Sequence, residues 1–95
     1  MNHAELTARI AVISALRHTP AGIPAIDIEL EHESQQVEAG QARQVKLAVR
    51  AVAFGAVAEA LRVQALGSAW RFSGFLAAAR GGKHPVLHIQ SFVPD

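Results

Sequence analysis

The sequence predicts an all-β protein, a five-stranded antiparallel barrel with a short helix between its third and fourth strands. Three observations carry that expectation. Residues 24–34 alternate between apolar and polar, mostly acidic, side chains, the period of a strand with one buried face. Residues 54–66 abandon that period for apolar positions at helical spacing. Turn-forming clusters separate the runs: Pro20-Ala21-Gly22-Ile23-Pro24, Ala39-Gly40-Gln41, Gly67-Ser68 and Gly81-Gly82.

The first strand is expected over residues 6–16. Leu6, Ala8, Ile10, Val12, Ser14 and Leu16 share one face, and Ala11, Ile13 and Ala15 make the other face apolar from Ile10 onward. A strand apolar on both faces is covered on both, here by a second subunit or by a helix or loop. The second strand runs from Pro24 to Ser34, with Ile26, Ile28 and Leu30 inward and Asp27, Glu29, Glu31 and Glu33 outward. The third runs from Ala42 to Ala53. Its inner face is Val45, Leu47, Val49 and Ala51, and its outer face is Lys46, Ala48, Arg50 and Val52. Acids of the second strand and bases of the third are placed to pair across the sheet.

Val57, Ala58 and Leu61 mark a helix within residues 54–66, closed by Gly67-Ser68. The fourth strand sets Trp70, Phe72, Gly74 and Leu76 on one face and Arg71, Ser73 and Phe75 on the other. Gly81-Gly82 is a two-residue hairpin signal. The fifth strand spans His84 to Val93, with Val86, His88, Gln90 and Phe92 alternating against Leu87, Ile89, Ser91 and Val93. Three strands, a helix and two strands make the order of the oligonucleotide/oligosaccharide-binding (OB) fold. At 95 residues the chain is expected to form one such domain, residues 1–95.

Composition narrows the function classes. At 51% hydrophobic and 18% charged, the chain is a folded domain rather than a disordered tail. It has no cysteine, so disulfide frameworks and thiolate metal sites are excluded and a reducing compartment is compatible. No apolar run approaches the roughly 20 residues that span a bilayer, and Glu5 and Arg9 interrupt any signal-peptide pattern. Charge is asymmetric. Residues 1–42 sum to −4 and residues 43–95 to +5, so the later strands offer a basic face compatible with a polyanion.

Catalytic signatures are absent: there is neither a Gly-x-Ser-x-Gly elbow nor a Gly-rich phosphate loop before a helix. His84 and His88 share a strand face but stand roughly 13 Å apart along it, too far to share one ion. His32 and His88 read as partly buried, hydrogen-bonded side chains. The expectation is no metal and no cofactor. Single-strand binding requires cations along a groove and flat rings for bases. Lys46, Arg50, Arg71, Arg80 and Lys83 supply the cations. Trp70, Phe72, Phe54 and Phe92 read as core. Phe75 lies on the opposite face to Trp70 and Phe72, and is either a stacking ring or a core or subunit-contact residue.

Leu16-Arg17, Gly22-Ile23-Pro24, Leu30-Glu31-His32, Glu38-Ala39-Gly40, Arg43-Gln44 and Val86-Leu87-His88 resemble the primosomal replication protein N (PriB) family, over nearly the whole chain. Gly67-Ser68 through Phe72, Gly74 and Leu76 resembles the fourth strand of that family and of bacterial single-stranded DNA-binding proteins. The resemblance implies a non-enzymatic OB-fold homodimer that binds single-stranded DNA; the cytoplasmic location expected beside it comes from the cysteine-free composition. The resemblance also implies a part in reloading the replicative helicase at stalled forks, with the primosomal helicase and another primosome protein as partners. Carried onto this chain, the family's DNA contacts fall on Arg17 and His18 before the second strand and on Arg43 at the third. In the loop between strands four and five they fall on Arg80, Lys83 and His84. Lys46 stands where relatives can have a stacking tryptophan, and Glu33 where a base can occur. The site expected is therefore Arg17, His18, Arg43, Lys46, Arg50, Arg71, Phe75, Arg80, Lys83 and His84, acting mainly through phosphates. Two other readings are a primosome adaptor with weak DNA affinity and a generic OB-fold RNA binder.

Overall fold

The computed structural model describes residues 1–95 as β1 (Ala4–Ile13), β2 (Arg17–His18), β3 (Pro24–Glu38), β4 (Gln41–Phe54), α1 (Ala56–Leu61), β5 (Ala69–Ala78) and β6 (Pro85–Pro94). Closure depends on β1 dividing its edges between two partners. Ala4–Arg9 pair with β5, and Arg9–Ile13 pair with β3. The ring β1–β5–β6–β4–β3–β1 is thereby complete, and the chain forms the five-stranded OB barrel that its sequence predicts. The two-residue β2 is an extra stub on β3. One pairing departs from the antiparallel expectation. β4 and β6 run parallel at Ala51–Leu87 and Val52–His88, because β5 runs opposite to β4 after α1 and the β5–β6 hairpin then reverses the chain once more.

The barrel interior is built from the inward faces. Ile26, Ile28 and Leu30 of β3 meet Ile10, Ala51, Ala53, Phe72, Leu87 and Ile89, all buried. Ala58 and Leu61 are buried in the same cluster from α1. The helix is only six residues long, shorter than the apolar spacing over 54–66 suggests, and Gly55 precedes it at φ 68°. That left-handed backbone lets the strand turn sharply into the helix.

Two bulges redistribute the alternation. One at Ala11 separates Ile10 from Val12. Val12 then lies exposed on the outer face, and Ile13 packs against the core. The apparent two-faced first strand is thus one core-facing register that changes parity, and the strand ends at Ile13 rather than Leu16. The second bulge, at Gln90, lies between the Ser73–Ser91 and Gly74–Ile89 pairs. It brings Phe92 to the core side along with Leu87 and Ile89. Gly74 is required beside it, since a Cβ there would lie 1.8 Å from the His88 carbonyl oxygen.

The β3–β4 hairpin extends well beyond the barrel. Strand β3 continues to Glu38, past the expected end at Ser34, and Ala39-Gly40 make a two-residue turn with φ 52° and 76°. Two positive φ values match a type I′ turn, whose twist suits a hairpin. Beyond the barrel the ribbon has no second layer, so Val37 and Leu47 are exposed despite their apolar character. Leu47 was expected inward. Leu76, also expected inward, is 44% exposed near the end of β5. Gly81-Gly82 do not form a two-residue hairpin. Gly82 N–H donates to the Ala79 carbonyl, and Ala79 N–H to the His84 carbonyl, closing a longer loop.

Candidate nucleic-acid interface

The antiparallel register of β3 and β4 decides which charges meet. Outward from the barrel, Asp27 faces Val52, Glu29 faces Arg50, Glu31 faces Ala48 and Glu33 faces Lys46. Lys46 Nζ lies 3.9 Å from Glu33, while Arg50 forms no ion pair with Glu29. Arg43 falls on the opposite face of the ribbon, where it donates to Glu38 at 3.2 Å. The structure therefore brings Lys46 and Arg50 onto one face and leaves Arg43 off it.

The other predicted cations are distributed around the barrel. Arg17 on β2 makes a two-pronged contact with Asp27, Nε at 3.0 Å and Nη2 at 3.1 Å. The hydrogen bond and the negative charge of Asp27 raise its pKa above the ordinary arginine value. His18 is exposed beside it. Arg71 lies 3.7 Å from Glu5, near β1 and far from the β5–β6 loop. Arg80, Lys83 and His84 are exposed in that loop. Among the lysines and arginines, Arg9, Arg50, Arg80 and Lys83 take part in no ion pair. The parallel β4–β6 register places Arg50 on the side of the barrel from which the loop leaves.

Rings occupy the centre of the same outer surface. Phe75 and His88 are stacked, with centroids 4.8 Å apart and planes 18° apart. Phe54 lies 6.0 Å from His88 on its other side. Phe54 is 41% exposed rather than part of the core. Its position follows from strand parity, because it shares a face with Lys46 and Arg50. His88 is held by ring contacts rather than by hydrogen bonds. His32 is the hydrogen-bonded histidine: Nδ1–H donates to the Thr7 carbonyl at 2.6 Å, and Nε2 lies 2.8 Å from the Ser34 hydroxyl. Trp70 and Phe72 pack inward, as expected. Phe54 and His88 are thus the two members of this surface that sequence reasoning assigned elsewhere. The parity of β4 was the signal that would have found Phe54.

A family model described as "another single-strand binding protein family" matches residues 2–91. Replication restart protein PriB of Bordetella pertussis is 48% identical over 91 residues, covering 95% of this chain and 85% of that protein. The chain belongs to the PriB family. PriB of Ralstonia solanacearum, a solved structure at 32% identity, superposes with a TM-score of 0.91 over 99% of this chain and 97% of that one. The resemblance read from Gly22-Ile23-Pro24 and Val86-Leu87-His88 is borne out at this level. The single-stranded DNA-binding protein of Thermus aquaticus, at 21% identity, shares the fold with a TM-score of 0.77 over 99% of this chain and 50% of its own.

Proposed function

We propose that this chain is a non-enzymatic, single-domain protein that binds single-stranded DNA during replication restart. The observation that carries the reading is the outer face of β4. Lys46 and Arg50 lead along it towards Phe54, with the β5–β6 loop cations Arg80 and Lys83 beyond the neighbouring strands. Cations beside an exposed ring are what a single strand requires. The relatives are named for replication restart, which supports the same process here. Reloading the replicative helicase in the cytoplasm, with the primosomal helicase and another primosome protein as partners, is the physiological role we assign. No helix is long and apolar enough to cross a membrane.

A homodimer is part of this reading. The edge of β1 that faces away from β5 has no strand partner over Ala4–Ala8, and an unpaired edge can be completed by a second copy. Sedimentation should return the mass of two chains; a single-chain mass at micromolar concentration would refute the dimer.

Titration of labelled oligo-dT across salt concentrations tests the main proposal. The logarithm of the affinity should fall linearly with log salt, by about 0.7 per phosphate contacted. An affinity independent of salt, or no binding at low salt, would overturn it. A matched oligo-U titration separates a DNA preference from general RNA binding. The adaptor reading is favoured by the ion pairs of Arg17, Arg43, Lys46 and Arg71 with carboxylates, which compete with phosphates. Helicase capture at salt concentrations where oligo-dT no longer binds would decide for it.

A further inference from the structure

Arg17 is the cation held most firmly by another part of the chain. Strand β2 pairs Arg17 with Ala25, which sets it diagonally across from Asp27, within reach of a long side chain. Asp27 is itself anchored through its backbone. Its N–H donates to the Ser14 hydroxyl at 3.0 Å, and its carbonyl accepts from the Ser14 N–H at 2.9 Å. The connection beyond Arg17 is closed on itself as well: Gly22 N–H donates to the Thr19 carbonyl at 2.8 Å, and Ile23 N–H to the Thr19 hydroxyl at 3.2 Å. The fold therefore brings Arg17 and Asp27 together on a segment pinned at both ends.

The contact has the form that a phosphate would take. The guanidinium Nε donates to one Asp27 carboxylate oxygen at 3.0 Å and Nη2 to the other at 3.1 Å. This is the parallel fork in which arginine also grips phosphate. No other cation of the chain is held this way. Arg43 donates a single hydrogen bond to Glu38, and Arg62, Arg71 and Lys46 lie 3.1, 3.7 and 3.9 Å from Glu59, Glu5 and Glu33. Asp27 has no rival cation, since its neighbour on β4 is Val52. We infer, on the single-strand-binding reading above, that Asp27 acts as an internal stand-in for phosphate: it keeps Arg17 engaged and so withdraws from the single strand a cation that the family resemblance assigns to it. Arg17 then fastens the β1–β3 connection to the barrel, and Asp27 limits the affinity for DNA without touching the strand.

Oligo-dT titrations across salt concentrations, on Arg17→Gln, Asp27→Asn and the double variant, test this. Arg17→Gln should bind within about twofold of wild type and keep its salt slope, whereas loss of one phosphate contact would lower the slope by about 0.7. Asp27→Asn removes the competing charge. It should tighten binding about three- to tenfold at low salt and steepen the slope by about 0.7, the signature of one added phosphate contact. The double variant should return to the wild-type values. Asp27→Ala, which keeps no acceptor for Arg17, should act like Asp27→Asn. Glu31→Gln is the control: Glu31 lies on the same strand opposite Ala48 and forms no ion pair, so its removal should leave the slope unchanged. The side chains of Arg17 and Asp27 are half exposed, so the variants are expected to fold, which circular dichroism checks. Weaker binding and a lower slope in Arg17→Gln alone would show that Arg17 already grips the strand, and would overturn the inference. A gain in Asp27→Asn that persists in the double variant, or that Glu31→Gln matches, would also overturn it, because either is general relief of charge repulsion. Unchanged binding in both Asp27→Asn and Asp27→Ala would do the same. If no protein of the series binds oligo-dT at low salt, the single-strand-binding reading itself fails, and the role of Asp27 with it.

Discussion

Strands β5 and β6 carry two aromatic clusters, one on each face. On the inner face Trp70 meets Phe92 edge-on at 5.0 Å, and Phe72 stacks on Phe92 at 6.3 Å. On the outer face Phe75 stacks on His88, which in turn neighbours Phe54. The residue types are alike, and alternation of side chains about a shared backbone separates them. The difference teaches that the same chemistry fills the interior where rings are enclosed, and leaves apolar surface available to a ligand where they are open, which is the role proposed for this face. Trp70 illustrates the enclosed case, since its indole N–H finds the Ser68 hydroxyl at 2.8 Å. His88, on the open side, is offered no such partner.

Substitutions on the two faces should therefore affect different observables. The largest stability loss is expected from Phe72→Ala, about 3–5 kcal/mol for a fully buried ring, measured by denaturant unfolding. A loss under 1 kcal/mol would break the distinction. Gly74→Ala should come next, at about 3 kcal/mol and a fall in Tm of about 10 °C or more, because the added methyl meets the His88 carbonyl. A wild-type Tm would show that the bulge relaxes freely. Phe54→Ala should change stability by less than about 1 kcal/mol while lowering oligo-dT affinity. The reverse pattern would place Phe54 with the interior. The smallest effect belongs to Glu33→Gln. Loss of one exposed ion pair should leave stability within about 0.5 kcal/mol. Freeing Lys46 should tighten oligo-dT binding about two- to fivefold; weaker binding would remove Lys46 from the interface.

Much of this arrangement was legible from the residues. The alternation of Ile26, Ile28 and Leu30 against acids placed β3, and the shift to helical spacing at Val57, Ala58 and Leu61 placed α1. The bulges were not legible, because one inserted residue leaves no mark in composition; Ala11 and Gln90 look like any strand position. Their effect was to misassign Val12 and to group Phe92, which was rightly read as core, on one strand face with His88. The long ribbon was underestimated because its polar residues resemble loop. Once the turn is centred on Ala39-Gly40, every pair from Glu38–Gln41 down to Ala25–Phe54 follows. The Glu33–Lys46 contact follows with them. Phe54 was misread because its residue type suggests core while its parity places it outside. Ion pairs such as Arg71–Glu5 could not be anticipated, as they join strands β1 and β5, far apart in sequence.

The central claim is that the outer β4–β6–β5 surface is where a single strand binds. Mapping amide chemical shifts of the labelled protein during oligo-dT titration at low salt tests it most directly. The account predicts shifts concentrated at Arg50, Phe54, Phe75, His88 and residues 79–84, lost together as salt is raised. Shifts confined to the Ala4–Ala8 edge or to the acidic face of β3, with these residues unmoved, would contradict it.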